Sequence, residues 1–106
     1  AKLERQLDDM IKDKKNEEYR DQIYFAKGEM FLGIKQPQKA CDNYRRSVAL
    51  ATVNKAQRAQ SALRMAEVQY DIFENYDLSQ VYYDTAMQCI DPSYLSILYT
   101  VSKSES

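Results

Sequence analysis

The side chains with the most potential for chemistry in this chain are two cysteines, Cys41 and Cys89, and pairs of neighbouring carboxylates. A cysteine nucleophile needs a base close by to form its thiolate, and the sequence contains no histidine that could serve. Carboxylates adjacent in sequence, such as Asp8 and Asp9, point about 100° apart on a helix and do not converge on one substrate. The sequence therefore predicts a protein that is not an enzyme.

Metal and cofactor binding are not expected from the residue types either. Structural zinc is held by four cysteine or histidine ligands, which two cysteines alone cannot supply. Both cysteines lie among apolar neighbours in helical patterns, which favours small buried residues, and a disulfide between them would need Cα atoms within about 7 Å. Gly28 and Gly33 stand alone inside a helical pattern, so they form no phosphate-binding loop. We expect no cofactor and no metal.

The charge balance argues against nucleic acid and membranes as partners. The 106 residues include 15 Lys and Arg against 16 Asp and Glu, so there is no basic excess to attract phosphates. No run of about 18 apolar residues is present, so we expect no direct membrane insertion. Two glycines and two prolines are few for this length, and strand-forming residues never alternate in runs. The composition indicates an all-α chain.

Apolar residues recur at helical spacing and predict five long helices followed by a short C-terminal one. Asn16 is the expected N-cap of the second helix, and Asp77 or Ser79 that of the fifth. Pro37 suits the first position of the third helix, because it has no N–H to leave unpaired there. The predicted helices cover about 2–14, 17–34, 37–52, 55–74, 77–90 and 93–102.

Two segments of the chain share one pattern of large, small and aromatic residues. The first contains Tyr24, Gly28, Phe31, Ala40, Tyr44 and Ser47, and the second Leu63, Ala66, Gln69 with Tyr70, Ser79, Tyr83 and Ala86. The offset is 38 residues between Gly28 and Ala66 and 39 between Tyr44 and Tyr83. A single helical hairpin cannot bury its own apolar face, so such copies are expected to stack. Tyr44 and Tyr83 are predicted to be packing residues. Gly28 and Ala66 are predicted to allow close approach of a neighbouring helix.

This spacing resembles that of the tetratricopeptide repeat (TPR), which places a large residue, Gly or Ala, and an aromatic residue on its first helix. Its second helix carries a small residue, an aromatic and another small residue, and Pro92 falls near the position of the closing proline. The offset exceeds the usual period of about 34 residues. The resemblance implies one all-α, TPR-like α-solenoid of antiparallel helical hairpins over residues 1–106. Its parts would be the second helix of a truncated repeat, two repeats and the start of a further one, at 2–15, 17–53, 55–91 and 93–102.

A narrower resemblance concerns two short sequence segments, residues 19–26 and 82–86. They are similar to repeats of large lipoproteins of the Bacteroidetes gliding-motility and type IX secretion apparatus. That similarity implies a scaffold at the periplasmic face of the outer membrane, and without it the expected location is cytoplasmic. The chain starts directly in a charged helical pattern and ends in a polar segment, so we expect it to be part of a larger protein.

The TPR resemblance implies a peptide groove lined by the first helices of the two repeats. Amides and carboxylates there can bond a peptide backbone, and apolar groups can anchor its side chains. The alternatives are that the apolar members are core residues and that the two glutamates are solvated surface charges. The candidate groove residues are Gln22, Phe25, Glu29, Leu32, Gln60, Leu63, Arg64, Glu67, Tyr70 and Asp71.

The expected function is that of a non-catalytic protein–protein interaction scaffold with a protein or peptide partner. Two alternatives remain open, a cytoplasmic TPR module that binds a regulatory peptide and a structural spacer without a ligand. Tyr94 and Tyr99 are candidates for self-association through the terminal helices, because an absent neighbouring repeat would otherwise bury them.

Overall fold

The computed structural model describes residues 2–90 and shows five α-helices and one 3-10 helix in that range, with no strand. The all-α prediction is therefore confirmed for this part of the chain. The predicted helix over 93–102, with Tyr94 and Tyr99, lies outside the described residues. The α-helices are α1 (Lys2–Lys12), α2 (Arg20–Gly33), α3 (Pro37–Leu50), α4 (Lys55–Asp71) and α5 (Tyr76–Gln88), and the 3-10 helix is Lys14–Tyr19.

The segment before α2 differs from the prediction. The 3-10 helix occupies the positions expected to form the first turn of the second helix, so α2 begins only at Arg20. Asp13 is the N-cap of the 3-10 helix, and its Oδ1 accepts a hydrogen bond of 3.0 Å from a backbone N–H two residues on. Asn16 is not a cap, because its Nδ2 donates to the Met10 carbonyl at 3.1 Å and closes the end of α1 instead.

Two asparagines begin the second hairpin's helices. The side chain of Asn54 accepts from a backbone N–H at 3.1 Å at the start of α4, and that of Asn75 does the same at 3.2 Å at the start of α5. The prediction of Asp77 or Ser79 as the cap of α5 is wrong. Asp77 already lies in the first turn, where its charge faces the positive end of the helix dipole.

Each helix packs mainly against its neighbours in sequence, α1 on α2, α2 on α3, α3 on α4 and α4 on α5, and α2 also approaches α4. Within residues 2–90, no Cα atom of α2 or α3 lies within 8 Å of one in α5. The extents of 46 × 31 × 23 Å reflect this open sequence of layers. A closed bundle would instead bring the last helix back against the first ones.

The two hairpin turns share one backbone feature and differ in length by one residue. The turn between α2 and α3 covers residues 34–36 and that between α4 and α5 covers 72–75. Each holds one residue in the left-handed region, Lys35 with φ 63° and Glu74 with φ 55°, in sequence positions that differ by 39. The second turn is one residue longer, in agreement with the longer spacing of the second copy.

The core lies where α2, α3 and α4 meet, and its centre is Tyr44, whose side chain is 0% exposed. A Cβ atom added to Gly28 would lie 2.5 Å from Cε1 of the Tyr44 ring, so only glycine leaves room for this ring. The predicted close approach at Gly28 is therefore confirmed. The buried core cluster comprises Phe31, Ala40, Cys41, Tyr44, Met65 and Val68.

A buried polar chain ties the same three helices together. Ser47 Oγ donates to the Asp21 carbonyl at 2.7 Å and lies 2.7 Å from Ser61 Oγ, which also accepts from Gln57 Nε2 at 3.1 Å. Buried hydroxyl groups are costly unless paired, and here each has partners. This network fixes the register of α3 against α2 and α4.

Tyr83 does not pack as predicted, because its side chain is 48% exposed on α5. The corresponding position on the preceding helix is Ala66 and not glycine, and Ala66 is itself buried. The aromatic spacing of the two copies is the same, but the second ring is left at the surface.

Candidate binding surface

The ten candidate groove residues lie on α2 and α4, the first helices of the two hairpins, and none is fully buried. The members on α4 are mostly exposed and those on α2 are mostly half-buried. The exposed side chains are Gln22, Gln60, Leu63, Glu67, Tyr70 and Asp71, and the half-buried ones are Phe25, Glu29, Leu32 and Arg64. The surface is therefore more open along α4.

A charged cluster joins the two hairpins at the centre of this surface. Arg64 Nε donates to Glu29 Oε1 at 3.0 Å, and Arg64 Nη1 donates to Glu67 Oε2, also at 3.0 Å. The Tyr44 hydroxyl donates to the same oxygen of Glu29 at 2.6 Å. Because Glu29 lies on α2 and Arg64 on α4, candidate residues from both copies meet here.

Two members of the cluster, Tyr44 and Arg64, have raised pKa values. Burial raises the pKa of Tyr44, and the hydrogen bond to Glu29 and the charge of that carboxylate raise it further, so the phenol stays a neutral donor. The hydrogen bond to Glu67 raises the pKa of Arg64, which stays cationic. With two carboxylates and one guanidinium, the cluster has a net negative charge.

The apolar candidates divide between the core and the surface. Phe25 and Leu32 pack against the core cluster, and the Phe25 ring centroid lies 5.6 Å from that of Tyr44. Leu63 is 36% exposed and Tyr70 is 57% exposed, so these two are not core residues. Only the α4 members can offer apolar area to a partner without rearrangement.

A cavity of about 460 Å³ lies between α4 and α5 and continues the surface beyond the charged cluster. Three residues of this cavity are among the groove candidates predicted from the sequence. Tyr76 and Gln80 are not among them, and Tyr83 is predicted to be a packing residue. The sequence difference between the copies at this place is the alanine at position 66, where the first copy has Gly28, and Ala66 lines the cavity. The side chains around the cavity are Glu67, Tyr70, Asp71, Tyr76, Gln80 and Tyr83.

Contacts within the second hairpin hold this cavity in shape. Ser79 Oγ donates to the Ala66 carbonyl at 2.7 Å and fixes the spacing of α4 and α5 at the base of the cavity. The rings of Tyr70 and Tyr76 lie edge to face, with centroids 4.8 Å apart and planes at 63°. Two of the aromatic walls therefore support each other from separate elements.

Gln22 is set apart from this surface. It lines a different depression of about 340 Å³ between α1 and α2, together with Leu7, Met10 and Tyr19. Gln60 is exposed nearer the N-terminal end of α4. Contacts and the shared cavity therefore connect five candidates, Glu29, Arg64, Glu67, Tyr70 and Asp71, and Gln22 lies outside this group.

The cysteines show no feature of a reactive site. Desolvation raises the pKa of the buried Cys41 thiol, which disfavours the nucleophilic thiolate. Cys89 Sγ donates to the Thr85 carbonyl at 3.3 Å, and both cysteines are free. Across residues 2–90, no group of three or more Cys, Asp or Glu side chains could hold a metal ion.

None of the helices between residues 2 and 90 combines the length and the apolar character that crossing a membrane requires.

Comparison with known proteins gave no match, since no protein-family model, curated protein or solved structure is significantly similar to the chain. Its function therefore has to be inferred from the geometry of its own residues.

Proposed function

We propose that this chain is a TPR-like α-solenoid segment that acts as a non-catalytic scaffold and binds an extended peptide segment of a partner protein. The binding surface is formed by α4, by the part of α2 around Glu29, and by the cavity between α4 and α5. The single observation that carries this proposal is the ion pair of Arg64 with Glu29 at 3.0 Å. It joins the corresponding helices of two successive hairpins into one continuous surface.

The equivalence of the two hairpins supports the repeat architecture. Lys35 and Glu74 are both left-handed turn residues, and their sequence positions differ by 39. The helices follow one another in packing order, which is how stacked repeats bury their apolar faces. A surface built from repeats is extended, which suits a peptide more than a small compact ligand.

The residue types of the surface suit a peptide backbone and side chains together. Exposed Leu63 and Tyr70 offer apolar contact area, and Gln60 and Gln80 offer amide donors and acceptors. Aromatic side chains that are partly exposed before binding are frequent anchors in interfaces. These groups require no catalytic chemistry.

The proposal is tested by selecting random peptides on the full chain and measuring their affinity by calorimetry for two charge-reversal variants. Glu67→Lys lies in the proposed surface and Asp42→Lys lies on α3. The two carboxylates are matched, with side-chain exposures of 45% and 47% and an arginine partner three residues away in each. We expect Glu67→Lys to weaken binding at least about 10-fold, equivalent to about 1.4 kcal/mol.

Asp42→Lys should leave the affinity within about twofold of the unchanged chain, since rim charges far from a contact contribute little. Circular dichroism would establish that both variants keep the helical fold. Selection of no peptide, which is the result that a structural spacer gives, would contradict the proposal. Equal loss in both variants would also contradict it, because the binding would then not involve this surface.

A further inference from the structure

On the basis of the proposed scaffold function, we infer that the cavity between α4 and α5 is a subsite for a cationic side chain, the guanidinium of an arginine or the ammonium of a lysine in the partner peptide. Its walls are the aromatic rings of Tyr70, Tyr76 and Tyr83, and its charge comes from Glu67 and Asp71. The volume of about 460 Å³ lies in the range that accommodates small ligands and long side chains.

The exposure of the three rings is the first step. All three rings border the same cavity, and they remain partly open to solvent. Tyr70 is 57% exposed, Tyr76 is 55% exposed and Tyr83 is 48% exposed. Aromatic faces carry partial negative charge and attract cations that approach within about 6 Å of the ring centre. A cation in this cavity would lie beside three such rings.

Two other aromatic rings of the described residues already lie beside cations of the chain itself. The Arg46 guanidinium lies 5.8 Å from the Tyr24 ring centroid, and Lys39 Nζ lies 5.6 Å from that of Phe31. No lysine or arginine of residues 2–90 lines the cavity between α4 and α5. The cavity rings are thus available to a cation from another molecule.

The carboxylates give the cavity the complementary charge. The Arg64 guanidinium neutralises only part of the negative charge of Glu67 through its 3.0 Å contact, because the same guanidinium also pairs with Glu29. Asp71 is exposed, and no ion pair joins it to another residue of the described part of the chain. A guanidinium or ammonium group in the cavity would contact the rings and meet Asp71 at the rim.

The subsite is tested with small probes that do not depend on peptide selection. The full chain is titrated with N-acetyl-arginine methylamide and N-acetyl-lysine methylamide, and the tyrosine ring signals are followed by NMR. N-acetyl-citrulline methylamide, which has nearly the shape of the arginine probe without its charge, is the control. We expect saturable shifts at Tyr70, Tyr76 and Tyr83, with the citrulline probe at least about fivefold weaker.

Two variants make the result specific. Asp71→Asn should weaken binding of both cationic probes about threefold, and the same change at a distant carboxylate, Asp42→Asn on α3, should leave it unchanged. Tyr83→Leu should weaken it further, and the half-exposed position of this ring keeps the fold intact. Equal binding of charged and uncharged probes, or equal effects of Asp71→Asn and Asp42→Asn, would overturn the inference.

The outcome is separable from that of the proposed function. If selected peptides bind through Glu67 but the cationic probes do not shift the three rings, the subsite is wrong and the scaffold function stands. If the probes bind with the expected charge dependence but no peptide is selected, the subsite is supported and the peptide-binding function is wrong.

Discussion

Tyr44 and Tyr83 occupy corresponding places in the two hairpins, but the Tyr44 side chain is 0% exposed and that of Tyr83 is 48% exposed. Gly28 beside Tyr44 has no Cβ, so the ring lies against the backbone of α2. Ala66 in the second hairpin is itself buried and has a methyl group at that place. In addition, α4 covers Tyr44, whereas residues 2–90 include no helix beyond α5.

The same aromatic spacing therefore gives a core residue in the first hairpin, beside Gly28, and a surface residue in the second, beside Ala66. In the first hairpin the aromatic residue closes the space between the helices and supports Glu29 through its hydroxyl. In the second hairpin the half-exposed ring of Tyr83 is one of the walls of a cavity. The buried core around Tyr44 is thus shared by α2, α3 and α4, and the open cavity lies beside Tyr83 in the second hairpin.

The strongest test of this division is to truncate each tyrosine in turn. Tyr44→Ala should lower the free energy of unfolding by about 3–5 kcal/mol, because it removes a fully buried aromatic side chain and leaves a cavity. Tyr83→Ala should lower it by less than about 1 kcal/mol, because its ring is half-exposed. Urea unfolding followed by circular dichroism measures both, and similar losses would contradict the comparison.

A smaller effect is expected from adding the missing methyl group to the first hairpin. Gly28→Ala should lower the free energy of unfolding by about 1–2 kcal/mol, since overpacking against the Tyr44 ring outweighs the gain of about 1 kcal/mol in helix propensity. Gly33→Ala is the matched control, because nothing lies within 4 Å of a Cβ there. It should be neutral or stabilising by about 0.5 kcal/mol in the same measurement. A stabilised Gly28→Ala variant would show that the ring position is not fixed.

The smallest expected effect concerns pH. The pKa of Tyr44 in the folded chain is raised above its ordinary value of 10.0 by burial and by Glu29, so the unfolded chain loses this proton first. The stability contribution is therefore complete below pH 10 and declines as the pH rises, by about 1 kcal/mol between pH 10 and 11. Tyr44→Phe, which keeps the ring, should show a shallower decline in thermal unfolding over that interval. Parallel declines in both proteins would exclude Tyr44 as the cause.

The sequence was sufficient to predict the five α-helices of residues 2–90, apart from the 3-10 start of the second, because apolar periodicity is a local signal. The offset of 39 residues between the copies recurs in the positions of the two turn residues Lys35 and Glu74. The sequence was also sufficient for the role of Gly28 and for Pro37 at the start of α3. The caps at Asn16 and at Asp77 or Ser79 were mispredicted because neighbouring polar residues compete for these places. Asp13 caps the 3-10 helix that precedes α2, and Asn75, two residues before Asp77, caps α5. The choice between them depends on where the chain leaves the preceding helix.

The candidate site was predictable only in part. The spacing of Glu29 and Arg64 placed both on first helices, but their 3.0 Å contact depends on how the two hairpins stack. Tyr76 and Gln80 lie on the second helix of a hairpin, which the groove positions of the resembled family do not include. Their contribution follows from the position of the Tyr83 ring, which is a property of three-dimensional packing and not of sequence spacing.

The burial of Cys41 makes the junction between α3 and α4 measurable. Its side chain is 1% exposed and its Sγ lies 3.8 Å from Gln69 Nε2 on α4, whereas Cys89 is only half-buried. A thiol reagent can reach Cys41 only when this junction opens, so its labelling rate reports how often the two hairpins separate. Cys89 provides an internal reference for the reagent in the same molecule. The labelling rate of Cys41 therefore measures the motion that would alter the spacing of Glu29 and Arg64.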